Sequence, residues 1–135
     1  MTIVTRRTVL AAGAVGAGTV ALAACGSGSS TSQATPQANA QLVKLDDIEV
    51  GRCVSAKLPD GRTAIVARPT SETAVAFSAK CTHMGCTVAP AGSELHCPCH
   101  GSKYNALTGA VIQGPASRPL AKVAVRVANG EVVTS

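Results

Sequence analysis

Cys81-Thr82-His83-Met84-Gly85-Cys86 and Cys97-Pro98-Cys99-His100-Gly101-Ser102 are the two stretches on which the fold turns. Ten residues, Thr87 to His96, separate them. Four of the chain's six cysteines and two of its three histidines fall inside these boxes. Thiols and imidazoles at that density mean metal, disulfides or both. Two Cys and two His could close a tetrahedral zinc site. Spacing alone does not separate ligand cysteines from bridging ones.

The boxes sit in a strand-like context. Lys122-Val123-Ala124-Val125-Arg126-Val127 alternates, with its valines on one face. Asn129-Gly130 then marks a tight hairpin turn, with Glu131 to Thr134 returning. Pro59-Asp60-Gly61 marks a turn between Cys53–Leu58 and Thr63–Arg68. Val75 to Ser78 is a short strand leading into the first box. No long stretch carries the helical period. From Gln41 to Ser135 there are twelve Val, three Ile and six Leu, so β-branched residues dominate the core. An all-β domain over 41–135 is the expectation, with a metal centre or crosslink holding the loops of a modest core.

The first 40 residues read differently. Arg6-Arg7 precede an uncharged run from Thr8 to Ala24, 17 residues with glycines at 13, 16 and 18. A membrane-spanning helix wants about 20 strongly apolar residues. A basic start with a short apolar run reads as an export signal. The paired arginines resemble a twin-arginine signal, which carries folded proteins across the membrane. Leu22-Ala23-Ala24-Cys25-Gly26 resembles a bacterial lipobox, which implies lipidation of Cys25; an uncleaved anchor is the alternative. Residues 25–40 then form a lipidated cysteine and an uncharged, flexible linker. Its 15 residues after Cys25 reach about 20 Å as a coil and about 50 Å extended.

The two boxes closely resemble the Rieske iron–sulfur family, through C-x-H-x-G-C followed by an intact C-P-C-H-G-S. The resemblance implies a Rieske-type antiparallel β-sandwich with a small cluster-binding subdomain and one [2Fe–2S] cluster. It implies that Cys81 and Cys97 bind one iron, that His83 and His100 bind the other, and that Cys86 and Cys99 form a disulfide. A zinc site would leave that last pair unexplained. With two thiolates and two neutral imidazoles the oxidised centre carries no net charge, whereas four thiolates would make it −2. Adding an electron is therefore easier, and such centres span roughly −150 to +300 mV against roughly −400 mV for plant-type ferredoxins. The second ring nitrogen of each imidazole is expected to link proton loss to the redox state.

Ser102 and Tyr104 match the Ser-x-Tyr of high-potential members, whose hydroxyls bond a bridging sulfide and a ligand sulfur. A potential in the positive part of the range is expected. Gly114-Pro115 matches the third loop that covers the cluster, rigidified by proline. Here it reads Gly-Pro-Ala-Ser-Arg-Pro, a departure from the Gly-Pro-Ala-Pro of respiratory complexes, which leaves the partner surface open. His96 is expected to be structural, Cys53 a buried free thiol, and Met84 an apolar shield near the cluster.

Composition narrows the function. Aromatics supply 1% of the chain, one Phe, one Tyr and no Trp, so base-stacking nucleic-acid binders are disfavoured. The net charge is +5, and without Arg6 and Arg7 ten basic residues face seven acidic ones. That favours anionic surfaces only weakly, and nothing points to nucleic acid. The expected function is electron transfer at the outer face of the cytoplasmic membrane. Expected partners are a cytochrome, a quinol-oxidising complex or an oxidoreductase large subunit, with a lipid or anchor at the membrane. A core subunit of a quinol–cytochrome c reductase usually keeps a spanning anchor, so a stand-alone lipoprotein carrier fits better. The alternatives are the small subunit of an exported arsenite-oxidase-like enzyme and an oxygenase component. A whole terminal oxygenase does not fit in 135 residues.

Overall fold

Thr63–Ala67 (β3) is buried along nearly its whole length, because it lies in the middle layer of three sheets. The structure, a computed structural model, describes residues 37–135. The expected signal, the expected lipobox at Cys25 and most of the expected linker lie outside the described residues.

Every strand pairing is antiparallel, as the sequence led us to expect. One sheet orders β1 (Gln41–Lys44), β11 (Glu131–Thr134) and β10 (Val125–Ala128). The middle sheet orders β2 (Cys53–Lys57), β3, β4 (Val75–Ser78) and β9 (Lys122–Val123). The third orders β5 (Ala89–Ala91), β6 (Glu94–His96), β7 (Lys103–Asn105) and β8 (Val111–Gln113). Among the described residues no helix is long and apolar enough to cross a membrane.

Strand side chains alternate between faces, and β3 and β4 show what each face meets. Val66 and Ala76 pack with Leu45, Ile48 and Val132 on the β1–β11–β10 side. Ile65, Ala67 and Phe77 pack with Leu95, Tyr104, Cys81 and Cys97 on the other. The middle sheet is thus a wall with the candidate site built on one side of it. Burying a large aliphatic side chain contributes about 1.5–3 kcal/mol, so this double burial is a main source of the domain's stability.

The turns follow local chemistry. Asn129 (φ 52°) and Gly130 (φ 76°) both adopt left-handed backbone, which the two-residue hairpin joining Ala128 to Glu131 requires. Pro59 to Gly61 turns β2 into β3 as read, with the Asp60 carboxylate accepting from the Arg62 N–H at 2.9 Å.

Two readings are corrected. Lys122 to Val127 is not one strand: it breaks at Ala124, so Val123 pairs with Ala76 in one sheet and Val125 with Thr134 in another. The end of the expected linker is also held. Asn39 N–H donates to the Thr134 carbonyl at 2.8 Å, and Ala40 N–H donates to Thr134 Oγ1 at 3.0 Å.

Arg68 closes the end of the middle sheet. Its guanidinium donates to the carbonyls of Leu45 and Ile48, both at 3.0 Å, and of Ser71 at 2.7 Å. It thereby ties the 3-10 turn Leu45–Asp47 to the β3–β4 loop.

Candidate cluster site

The two boxes fold as two loops of the same design. Loop 1 is residues 81–86, closed by the Lys80↔Thr87 bridge. Loop 2 is residues 97–102, closed by the His96↔Lys103 pair between β6 and β7. In loop 1 the Cys81 N–H donates to the Cys86 carbonyl at 2.7 Å, and the Gly85 N–H donates to the Cys81 carbonyl at 2.9 Å. In loop 2 the Cys97 N–H donates to the Ser102 carbonyl at 2.8 Å, and the Gly101 N–H donates to the Cys97 carbonyl at 3.1 Å. The offsets are identical. Gly85 and Gly101 both have φ of 81°, a conformation that glycine adopts without strain. The glycines of the boxes are therefore the hinges that fold each loop back on its first cysteine.

This design sorts the side chains. Cys81 and Cys97 open the loops and are buried against the core. His83 and His100 sit at the tips, exposed, with ring centroids 4.7 Å apart and planes at 85°. Cys86 and Cys99 are joined by a disulfide across the loops. Cys81 and Cys97 remain free thiols, as does Cys53.

The donor chemistry suits an iron–sulfur cluster. Two buried thiols and two exposed imidazoles, one of each from either loop, match the donor set of a two-iron centre with mixed ligands. Burial pushes the Cys81 pKa up, but the Tyr104 hydroxyl, the His83 N–H, the Cys97 thiol and the Met84 N–H together hold it below the ordinary value. Tyr104 responds in the opposite sense: burial first, then the Cys81 sulfur, pushes its phenol up, so it stays a donor.

Tyr104 is fully buried, its hydroxyl 3.2 Å from Cys81 Sγ. Ser102 is also fully buried, and its Oγ accepts from the Ala116 N–H at 3.0 Å. That bond uses an acceptor position and leaves the Ser102 proton to donate elsewhere. It also anchors the third loop, because Ala116 follows Gly114 and Pro115, which lie exposed at the same end.

Thr82 was not singled out by the sequence. Its N–H donates to the Tyr104 hydroxyl at 3.1 Å, and its Oγ1 donates to the Arg118 carbonyl at 2.6 Å. One threonine thus ties loop 1 to both Tyr104 and the third loop. The available signal was its place beside Cys81; its partner lies 36 residues away.

Met84 is 69% exposed and stands beside His83 at the tip of loop 1. His96 stays outside the site, its Nε2 3.0 Å from Glu94 Oε2. Cys53 is buried and free as expected, and burial raises its pKa, with Arg52 opposing.

Comparison with known proteins agrees with this geometry. A family model described as the Rieske [2Fe-2S] domain matches residues 39–124. The cytochrome b6-f complex iron-sulfur subunit of Chlorobaculum thiosulfatiphilum is 33% identical over 105 residues, covering 70% of this chain and 56% of that protein. The chain therefore spans about half the length of that relative. The crystal structure of the cyanobacterial plasma membrane Rieske protein PetC3 from Synechocystis PCC 6803 superposes with a TM-score of 0.62 at 26% identity. That match covers 71% of this chain and 98% of that one. The ferredoxin of carbazole 1,9a-dioxygenase from Nocardioides aromaticivorans shares the fold, with a TM-score of 0.58 at 23% identity over 73% of this chain and 98% of that one.

Proposed function

The chain belongs to the Rieske [2Fe–2S] family, and from that footing we propose that it carries single electrons between membrane redox partners at the outer face of the cytoplasmic membrane. Cys81 and Cys97 would hold one iron, and His83 and His100 the other. When bound, such a cluster supplies a one-electron site at a higher potential than an all-thiolate one. The observation that carries the reading is the arrangement of the four donors, thiols buried and imidazoles exposed.

Each side chain then has a task. Tyr104 donates a hydrogen bond to the Cys81 sulfur, stabilising the added negative charge there. The spare proton of Ser102 is placed to do the same for a sulfide. The exposed rings of His83 and His100 let a partner touch a ligand directly, and their remaining ring nitrogens can exchange a proton with it. The disulfide and the bonds from Thr82 and Ala116 hold the three loops as one rigid mount.

The likeness to a cytochrome b6-f complex subunit supports a bc-type chain as the setting. The disulfide supports that setting over an oxygenase ferredoxin, which usually lacks one. Arg6-Arg7 and the Cys25 lipobox support export of the folded domain and a lipid tether, with 41–135 as the electron-carrying domain. A reductive titration of the purified protein tests the function. A clearly positive midpoint near pH 7 is expected; a clearly negative one would remove the high-potential reading. Copurification with cytochromes is expected from membranes, whereas copurification with a large molybdenum protein would move the assignment to an exported arsenite-oxidase-like enzyme. Cys25→Ser is expected to release the protein from membranes; retention would mean an uncleaved anchor.

A further inference from the structure

Lys80, Arg118 and Lys122 line two adjoining hollows beside loop 1. The larger, about 810 Å³, is bounded by Asp60, Arg62, Lys80 and Lys122. The smaller, about 420 Å³, is bounded by Lys80, Arg118 and His83. Ser78, Lys80 and Ala121 line both, so the two hollows make one groove that runs up to His83.

The groove carries an excess of positive charge. Two acids stand on its walls, Asp60 and the carboxylate of Ser135, and Arg62 occupies both oxygens of Asp60, through N–H at 2.9 Å and through Nε and Nη2 at 2.7 Å. Neither Lys80, Arg118 nor Lys122 forms an ion pair among the described residues. Residues 1–36 contain no Asp or Glu.

The acids gather at the other end of the middle sheet. Asp46 pairs with Arg68 at 3.3 Å, with Asp47 and Glu49 beside it in sequence, and Arg68 also holds the loop that carries Glu72. β4 starts at that end with Val75 opposite Ala67, and finishes at the groove with Ser78 opposite Ala64. At the end where the acids gather, Arg52 pairs with Glu49 and Arg68 with Asp46, whereas the cations of the groove are left without a partner next to an exposed imidazole.

We propose that this groove docks an acidic face of a redox partner protein. The proposal rests on the electron-transfer reading above. Carboxylates from a partner would complete three cations that this chain leaves unpaired, and a partner seated there would lie against His83. The unpaired cations of the groove would steer that partner before contact, which acts chiefly on the association rate.

The test uses the full-length protein carrying its cluster and a fluorescently labelled hexaglutamate peptide, with binding read by anisotropy at low salt. Lys80→Glu and Lys122→Glu are each expected to weaken binding at least fivefold. Lys44→Glu makes the same change in net charge on β1 and is expected to weaken it less than twofold. Saturating peptide is expected to slow one-electron oxidation of the reduced protein by hexacyanoferrate(III) at least fivefold. Equal losses in all three variants would overturn the proposal, since net charge alone would then explain binding. So would binding to phosphatidylglycerol vesicles, lost in the groove variants, with no binding of the peptide. Failure of hexacyanoferrate(III) to oxidise the protein would overturn the electron-transfer reading itself. Normal oxidation with peptide binding insensitive to Lys80 and Lys122 would overturn the docking site alone.

Discussion

The hydroxyl of Tyr104 lies 3.2 Å from Cys81 Sγ, while the N–H of Thr82 donates to that same oxygen at 3.1 Å. Thr82 Oγ1, 3.1 Å away, gives its own proton to the Arg118 carbonyl, so toward Tyr104 it can only accept. The phenol oxygen is thus fixed by the backbone of loop 1, and its one proton has two acceptors in reach, Cys81 Sγ and Thr82 Oγ1. Tyr104 is the chain's only tyrosine.

Tyr104→Phe is expected to lower the midpoint potential. The lost bond is stronger when the sulfur bears more negative charge. A difference of about 1 kcal/mol corresponds to about 45 mV for one electron. Voltammetry of wild type and variant measures it. An unchanged potential would mean that the hydroxyl only packs.

The Cys86–Cys99 disulfide spans 13 residues and joins the two loops that carry the four donors. Chain-entropy arguments give such a crosslink about 3 kcal/mol. Cys99→Ser is expected to lower the melting temperature and to speed loss of visible cluster absorbance in air. Equal rates of loss would show that the other loop contacts suffice.

Gly109 has φ of 72°, and a Cβ there would stand 2.7 Å from the Phe77 ring. Its carbonyl also accepts from the Leu120 N–H at 2.9 Å, tying down the chain after the third loop. Gly109→Ala combines backbone strain with overpacking. A loss of about 2–3 kcal/mol is expected in chemical denaturation.

Burial raises the Cys53 pKa, so the folded state keeps a proton that the unfolded chain releases above about pH 8.5. The resulting stability is present below that pH and is lost progressively as pH rises toward the folded value. Cys53→Ala is expected to lose less stability than wild type between pH 8 and 10. Parallel pH profiles would mean that Cys53 contributes nothing to alkaline sensitivity.

Legibility followed the range of the interactions. The hairpin at Asn129-Gly130 and the turn at Asp60-Gly61 could be read because the backbone there depends on the residues in the turn. The site could be read because its thiols and imidazoles are concentrated in twelve positions. The break at Ala124 could not be, since valine alternation runs through it unchanged and the sheet partners, Ala76 and Thr134, are distant in sequence. Thr82 was hidden for the same reason, because Arg118 reaches it only once the third loop has folded back.

Metal analysis combined with electron paramagnetic resonance of the purified protein tests the central claim most directly. Two irons and two acid-labile sulfides per chain are expected, with no zinc, and a paramagnetic signal that appears on one-electron reduction and disappears on reoxidation. One zinc per chain, no iron and no signal on reduction would contradict the account.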